Sequence, residues 1–263
     1  MKNKFTLVLG SILILLSTAC GTYRQVPYFQ DLDRTSAIQE DIRNYTPLTI
    51  QNGDILGLSV TALRAEDAAP FNYNLNRVNG VNNDYSPTNS VVGFMVDQKG
   101  NIQLPYVGTV KVAGFTTTEI HDQLVKSLAQ YMKEPLVNIR ILNFKVSVLG
   151  DVLKPDVYTF QSERVTLTEA LGMAGDLNIT AKRTNVLLIR EKDGKREFIP
   201  IDLTSKKLFQ SPYYYLKNND VIYVDPDRTK YAPVDRGYRT ATLLVSGLSV
   251  IAILASAYFI QHK

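Results

Sequence analysis

The chain has 263 residues, and 29 lysine and arginine side chains against 25 aspartate and glutamate side chains give it a formal net charge of +4. This balance lacks the concentrated positive charge of a nucleic-acid-binding protein, so we expect no nucleic-acid partner. Hydrophobic residues make up 45% of the chain, and that proportion at this length predicts one or two small globular domains.

Residues 1–19 have the pattern of a secretory signal peptide. Lys2 and Lys4 give a basic start, residues 7–16 are apolar, and residues 17–19 are small. This pattern predicts that the chain leaves the cytoplasm and that residues 1–19 are removed. Loss of the two lysines leaves 27 basic and 25 acidic side chains in the exported part.

Cys20, the sole cysteine, directly follows this segment. Residues 16–20 resemble a bacterial lipobox, in which the cysteine becomes the acylated first residue of the mature protein, although Leu16 lies four positions before the cysteine where three is usual. The resemblance implies a lipid, such as palmitate, on Cys20. The alternative is an ordinary signal cleavage nearby that leaves a free thiol. Gly21 replaces the aspartate that marks many inner-membrane lipoproteins, so we expect the outer membrane.

A polar leader follows the cysteine. Residues 22–46 are mixed in charge and lack a sustained period, which predicts an extended segment with a short helix near residues 37–43. Asp31 and Asp33 resemble the metal-binding carboxylate pair of some glycosyltransferases. Because no nucleotide-binding βαβ pattern surrounds them, a solvated turn is the favoured interpretation.

The first domain begins at residue 45 and combines short strands with one helix. Thr116 and Glu119 form a capping-box pattern, and apolar residues recur at helical spacing from Ile120 to Tyr131, so we predict a helix that Pro135 ends. The other predicted elements are strands at 48–50, 55–60, 91–96, 102–104, 108–112 and 137–142, turns at 52–54 and 97–100, and an asparagine-rich loop at 72–89. The loop is interpreted as a mobile insertion, with carbohydrate contact through Tyr73 and Tyr85 as the alternative.

A second unit begins near Phe144 and repeats this mixture of strands and a capped helix. Thr166 and Glu169 form another capping-box pattern, which predicts a short helix to about Met173. Its other predicted elements are strands at 145–149, 157–160, 186–190, 196–201 and 221–224, with the dipeptide Asp193-Gly194 closing the clearest hairpin.

The last predicted element is a membrane-spanning helix. Residues 241–260 contain no charged side chain, and a helix of that length spans roughly 30 Å, one hydrocarbon thickness. Arg236 and Arg239 precede it and Lys263 follows it, so charged residues can occupy both headgroup layers.

Four hydroxyl residues share one face of this helix, at spacings of four, three and seven: Thr242, Ser246, Ser249 and Ser256. The stripe predicts either a surface facing the interior of an oligomeric ring or a surface packed against a neighbouring helix. The hydroxyls can also bond carbonyl groups of their own helix, which would leave them without a special role.

Two sets of turns and caps occur in the order found in known export modules. Gly53-Asp54, residues 97–105, Gly108, residues 114–116 and residues 135–137 resemble a polysaccharide export domain. Residues 150–158, 167–171 and 174–176 are similar to an SLBB domain, a β-grasp-like module. Asp156 and Asp176 depart from that pattern, because the family commonly has glycine at both positions.

The chain is thereby identified as a member of the Wza-type outer-membrane polysaccharide export lipoproteins. The resemblance implies an α+β fold, a ring-shaped homo-oligomer whose terminal helices form an outer-membrane pore for capsular or extracellular polysaccharide, and an inner-membrane polysaccharide copolymerase or tyrosine autokinase as partner. It implies no cofactor. The expected organisation is signal peptide 1–19, lipidated leader 20–44, export domain 45–143, SLBB domain 144–226, linker 227–239 and membrane helix 240–260.

Catalysis is not expected, because the sequence offers no nucleophile elbow, phosphate-binding loop or two-histidine metal spacing. His121 and His262 are interpreted as solvated side chains. One alternative function stays open. An apolar terminal helix could hold the protein in the inner membrane, where it would act as a non-transporting scaffold or carbohydrate-binding module of a polysaccharide assembly complex.

Overall fold

The computed structural model describes residues 26–72, 93–192, 194–232 and 234–261. The expected signal peptide, Cys20, nearly all of the asparagine-rich loop and Asp193 lie outside the described residues. The described chain mixes helices and strands in several sheets and ends in an apolar helix.

The first domain is built around a three-stranded antiparallel sheet, a two-stranded sheet and one well-defined helix. Its elements are β1 Ile55–Thr61, α1 Ala65–Ala68, β2 Phe94–Met95, β3 Asn101–Leu104, β4 Gly108–Lys111, α2 Thr117–Leu128 and β5 Leu136–Ile141. Strand β1 lies between β2 and β5, and β3 pairs with β4. Helix α2 buries Ile120, Leu124 and Leu128 and packs on β5, so the predicted apolar stripe faces the core.

The second domain contains a five-stranded sheet and a short helix. Its elements are β6 Lys145–Gly150, β7 Asp156–Thr159, α3 Leu167–Met173, β8 Ala181–Lys192, β9 Lys195–Ile201 and β10 Val221–Pro226. The strand order is β7-β6-β10-β8-β9, and β10 is parallel to β6 and antiparallel to β8. Helix α3 packs against β6, and the two domains share one continuous buried apolar cluster.

The predicted capping boxes are confirmed in both helices. The Thr116 side chain accepts a hydrogen bond from the backbone of Glu119, and the Glu119 side chain accepts one from the backbone of Thr116. Thr166 and Glu169 make the same reciprocal pair at α3. The β8–β9 hairpin is also confirmed, since Lys192 pairs with Lys195.

Several boundaries were predicted wrongly. The predicted strand at 48–50 is reduced to one bridge between Thr49 and Thr116, because its partner is the turn before α2 and not another strand. Helix α2 ends at Leu128, seven residues before Pro135, so proline does not end it. The turn at 97–100 forms, with Gly100 N–H donating to the Asp97 carbonyl at 2.9 Å, but it joins strands of different sheets.

The predicted short helix at residues 37–43 is absent, and these residues form neither a helix nor a strand. Glu40 accepts hydrogen bonds from Lys206 at 2.9 Å and from Gln210 at 3.1 Å. Asn44 donates to the Ser211 carbonyl at 2.6 Å. These contacts hold the leader against the second domain, and they outweigh a weak local helix propensity.

Candidate functional site: a membrane span and two attachments at one end of the second domain

Helix α4, Arg236–Gln261, has the dimensions of a membrane span. Its 26 residues extend about 39 Å at about 1.5 Å per residue, which exceeds the roughly 30 Å hydrocarbon core. Leu243, Leu244 and Val245 point in three directions around the helix and are 72%, 64% and 62% exposed. By length and composition α4 can cross a bilayer, and its candidate span is not buried by the rest of the described chain.

The helix begins four residues before the predicted span. Asp235 explains the earlier start, because its carboxylate accepts a hydrogen bond from the Tyr238 backbone N–H at 2.9 Å. Such a bond satisfies one of the unpaired donors of the first helical turn. Arg236 and Arg239 therefore belong to the helix itself.

Three of the four predicted stripe hydroxyls bond to carbonyl groups of their own helix. Thr242 donates to the Tyr238 carbonyl at 2.8 Å, Ser246 to the Thr242 carbonyl at 2.8 Å, and Ser249 to the Ser246 carbonyl at 2.7 Å. The side chain of Ser256 lies outside the described part of the chain. Because each hydroxyl oxygen can also accept a hydrogen bond, the observed geometry is compatible with both predicted roles of the stripe.

The connector to α4 is fixed at one end of the five-stranded sheet. Asp151 follows β6, is fully buried, and accepts hydrogen bonds from Thr180 at 2.7 Å, Asn178 at 2.9 Å and Lys230 at 2.5 Å. Burial alone would raise the pKa of Asp151, but these three donors lower it below its ordinary value. Asp151 thus joins the connector to the sheet through a charge-assisted contact.

The leader is attached at the same end of the sheet. The Tyr28 hydroxyl donates to the Asp176 carboxylate, and the guanidinium carbon of Arg183 lies 5.6 Å from the centre of the Tyr28 ring. Burial, followed by the neighbouring Asp176 carboxylate, raises the pKa of Tyr28. Phe29 N–H donates to the Leu203 carbonyl at 3.2 Å. The leader then continues along the second domain toward the first.

The opposite end of the sheet holds the first domain. The buried Asp54 carboxylate accepts hydrogen bonds from Asn218 at 2.6 Å and from the Gln51 backbone at 2.8 Å. Burial raises the pKa of Asp54. Thr117 donates to Glu163 at 2.8 Å. Polar contacts therefore join the two domains at the end of the sheet farthest from α4.

Profiles of known families match both domains. The family described as "Polysaccharide biosynthesis/export protein" matches residues 43–142, and the SLBB domain family matches residues 144–224. The first domain is therefore an export domain, and the second is an SLBB domain.

Two relatives carry the same name. The chain is 28% identical over 184 residues to "EPS I polysaccharide export outer membrane protein EpsA" of Ralstonia solanacearum, which covers 69% of this chain and 48% of the relative. It is 30% identical over 139 residues to the protein of that name in Ralstonia nicotianae, covering 52% of this chain and 36% of the relative. The matched region therefore spans about half of the first relative and about a third of the second.

The predicted carboxylate pair of the leader has a structural role. Asp31 accepts hydrogen bonds from Ser205 at 2.7 Å and from the Lys206 backbone at 2.6 Å, and the latter bond is the main cause that lowers the pKa of Asp31. Asp33 accepts from Thr35. No group of three or more His, Cys, Asp or Glu side chains suited to a metal occurs among the described residues.

Sequence reasoning missed the residues that attach the leader and α4 to the SLBB domain, namely Tyr28, Asp151, Asp176, Arg183 and Lys230. Lys230 lies 79 positions from Asp151, and Tyr28 lies 148 positions from Asp176. No local pattern marks such pairs. The only available signal was the position of Asp151 directly after a glycine at a strand end, where polar side chains often fix a turn.

Proposed function

We propose that the chain is a subunit of an oligomeric outer-membrane channel that exports capsular or extracellular polysaccharide from the periplasm to the cell surface. The observation that carries the proposal is that the leader and the connector to α4 both contact one end of the SLBB domain, while the export domain contacts the other end. The names of the two relatives support the outer membrane and the polysaccharide cargo.

The two attachments fit a single bilayer. Tyr28 lies eight positions after Cys20, and eight extended residues reach at most about 28 Å. A lipid on Cys20 would therefore enter a leaflet close to the end of the SLBB domain that leads into α4. An anchor and a span that emerge together favour one membrane for both, with the export domain extending away from it into the periplasm.

Each chain contributes one apolar span from its described residues, so a pore made of these helices needs several copies. We propose a ring of identical chains whose α4 helices surround the conduit. The Thr242, Ser246, Ser249 and Ser256 stripe would then face water or the neighbouring helix. No step of such transport needs a nucleophile, a base or a metal, so we propose no catalytic role.

Thiol labelling tests the orientation of the stripe. Ser249→Cys and Ile251→Cys lie at nearly the same depth but on opposite sides of α4, since two residues rotate a helix by about 200°. In the assembled protein a small aqueous thiol reagent should modify position 249 and leave position 251 protected. Equal protection of both positions would show that the stripe does not face the conduit.

The central experiment combines membrane fractionation with the mass of the detergent-extracted particle. An outer-membrane location together with a mass of several chains is expected. Deletion of residues 240–263 should abolish surface polysaccharide while the periplasmic domains stay folded. Unchanged surface polysaccharide from a truncated protein that still assembles would contradict the proposed pore.

One observation favours a second candidate function. The α4 surface is apolar around its circumference, which suits a single lipid-facing anchor as well as a pore helix. A non-transporting scaffold or carbohydrate-binding module of a polysaccharide assembly complex would show inner-membrane fractionation and no dependence of transport on α4. In either case the expected partners include an inner-membrane polysaccharide copolymerase or tyrosine autokinase.

We also propose that the SLBB sheet is β-grasp-like and that the domains extend over 45–143 and 144–226. The strand order supports this assignment. The first and last strands, β6 and β10, form the central parallel pair, and an antiparallel hairpin extends from each side of it. One helix, α3, packs on the inner face.

A further inference from the structure

The SLBB sheet has an apolar face that no other part of the described chain covers. We call it the outer sheet face and define it by six side chains that point away from the core: Leu149, Val157, Leu187, Ile189, Phe198 and Tyr223. These side chains are neighbours in the sheet. Tyr223 on β10 pairs with Leu187 on β8, and Val221 on β10 pairs with Ile189 on β8. Ile189 in turn pairs with Phe198 on β9. The face therefore crosses all five strands.

Its composition is that of a buried surface. The exposed fractions of Phe198, Val157, Leu149 and Tyr223 are 61%, 52%, 44% and 37%. With about 150–200 Å² per large side chain, these four alone leave roughly 350 Å² of apolar surface uncovered. That value reaches the range of the largest apolar patch on a typical monomer, and it is close to half of the roughly 800 Å² that each partner contributes to a standard interface.

Charged residues surround the apolar centre. Lys145 and the ion-paired Glu191 and Arg196 lie toward the export domain, and Asp225 lies toward α4. An apolar centre with a charged rim is the usual arrangement of a protein–protein interface. A lipid-facing surface would instead be apolar to its edge on the membrane side.

The position of the face restricts its partner. The export domain contacts one end of the sheet, and the leader and the connector to α4 contact the other end. With α4 in a bilayer, the outer sheet face would therefore face sideways, along the membrane plane. The leader and α3 lie on the inner side, where Tyr28 stacks on the buried Arg183. A copy of the chain anchored in the same bilayer presents its own SLBB domain at the same height, whereas a free periplasmic protein has no such alignment.

We propose that the outer sheet face is the contact between neighbouring subunits and that it binds the opposite side of the next copy's SLBB domain. This inference rests on the proposed ring. A face that bound its own counterpart would stop at a dimer, whereas a head-to-tail contact can close a ring. The opposite side offers apolar residues for it, because Ile42 and Ile38 of the leader are 68% and 47% exposed and Met173 of α3 is 49% exposed.

Photo-cross-linking in the full-length protein identifies the occupant. A benzoylphenylalanine in place of Phe198 should give a light-dependent ladder at multiples of the single-chain mass. Mass spectrometry should locate the attached peptide in residues 26–44 or 167–173 of the neighbour. In parallel, Phe198→Glu should lower the oligomeric fraction by about tenfold or more, because it would bury an unpaired charge, while Phe198→Leu should retain it.

The outcomes separate this inference from the proposed function. Dimers linked only through the outer sheet face would overturn the head-to-tail contact. Cross-links to a different protein, or none, in a particle that keeps a multi-chain mass would overturn the inference and leave the channel proposal standing. A particle with the mass of one chain would overturn both.

Discussion

The ammonium group of Lys230, which binds Asp151 and joins the connector of α4 to the SLBB domain, should contribute measurably to the free energy of unfolding. Lys230→Met removes the charge that faces Asp151 and keeps most of the aliphatic chain. Thr180 and Asn178 would still donate to the carboxylate at 2.7 and 2.9 Å. The variant therefore isolates the contribution of the ion pair to the free energy of unfolding.

The exposure of the two partners sets the magnitude. The Asp151 side chain is 0% exposed, and the Lys230 side chain is 42% exposed. Removing one partner of a fully buried pair costs about 3–5 kcal/mol, whereas an exposed pair contributes less than about 1 kcal/mol. Solvent screens the lysine but not the carboxylate, so we expect Lys230→Met to lower the free energy of unfolding by about 2 kcal/mol at pH 7.

The effect should depend on pH. Burial opposes ionisation of Asp151, but its hydrogen bonds lower the folded pKa below the unfolded value, which is about 3.9. A carboxyl group of this kind stabilises the fold above the unfolded pKa and loses that contribution as the pH falls through the folded pKa. The difference in the free energy of unfolding between the wild type and Lys230→Met should therefore be largest at pH 7 and should shrink below about pH 4.

Urea unfolding of the full chain in detergent, followed by circular dichroism, measures this difference. Lys206→Met is the matched control, because Lys206 pairs with Glu40 at 2.9 Å while both side chains are about one third exposed (35% and 38%). We expect the control to cost clearly less than Lys230→Met, because solvent screens an ion pair whose two partners are both exposed. Equal losses for the two variants, or a loss for Lys230→Met that does not change between pH 7 and pH 3, would refute the reasoning.

Three further predictions concern the SLBB domain. Gly150→Ala should lower the free energy of unfolding by more than about 2 kcal/mol, because the new Cβ would lie 2.1 Å from the Val224 carbonyl oxygen at a φ of +94°. Gly172→Ala in α3 is the control: its new Cβ meets no atom within 4 Å, so it should stabilise the protein by up to about 1 kcal/mol. Thermal unfolding compares the two variants. Tyr28→Ala should make the leader sensitive to limited proteolysis, and Tyr28→Phe should do so less. Thr166→Ala should cost about 1 kcal/mol in the same thermal assay through loss of the helix cap.

Local chemistry made much of the fold predictable. Both capping boxes were recognised, because Thr and Glu at a fixed spacing satisfy each other's backbone donors within one turn. Strand β5 was recognised by strict alternation, and its buried residues are Val137, Ile139 and Ile141. These signals need no knowledge of distant contacts.

Contacts between distant segments could not be predicted in this way. Arg190 is buried on the inner side of β8 because Asp220, 30 positions away, binds its guanidinium at 2.9 and 2.6 Å. Burial raises the pKa of Asp220 even beside that cation. The path of the leader depends likewise on Lys206 and Gln210 of the SLBB domain, which bind Glu40. In both cases the stabilising partner lies outside any window that a periodicity could cover.

The sheet that contains β5 and the SLBB sheet differ in the side chains on their outward-facing positions. In β5 the outward positions include Asn138 and Arg140, as expected for a sheet face in water. In the SLBB domain the runs at 186–189, 198–201 and 221–224 are apolar at both alternations, a pattern typical of strands buried on both faces. The described part of the chain buries only one of those faces. The second set of apolar residues therefore indicates a sheet completed by another molecule, and its sideways orientation between the export domain and the membrane favours a second copy.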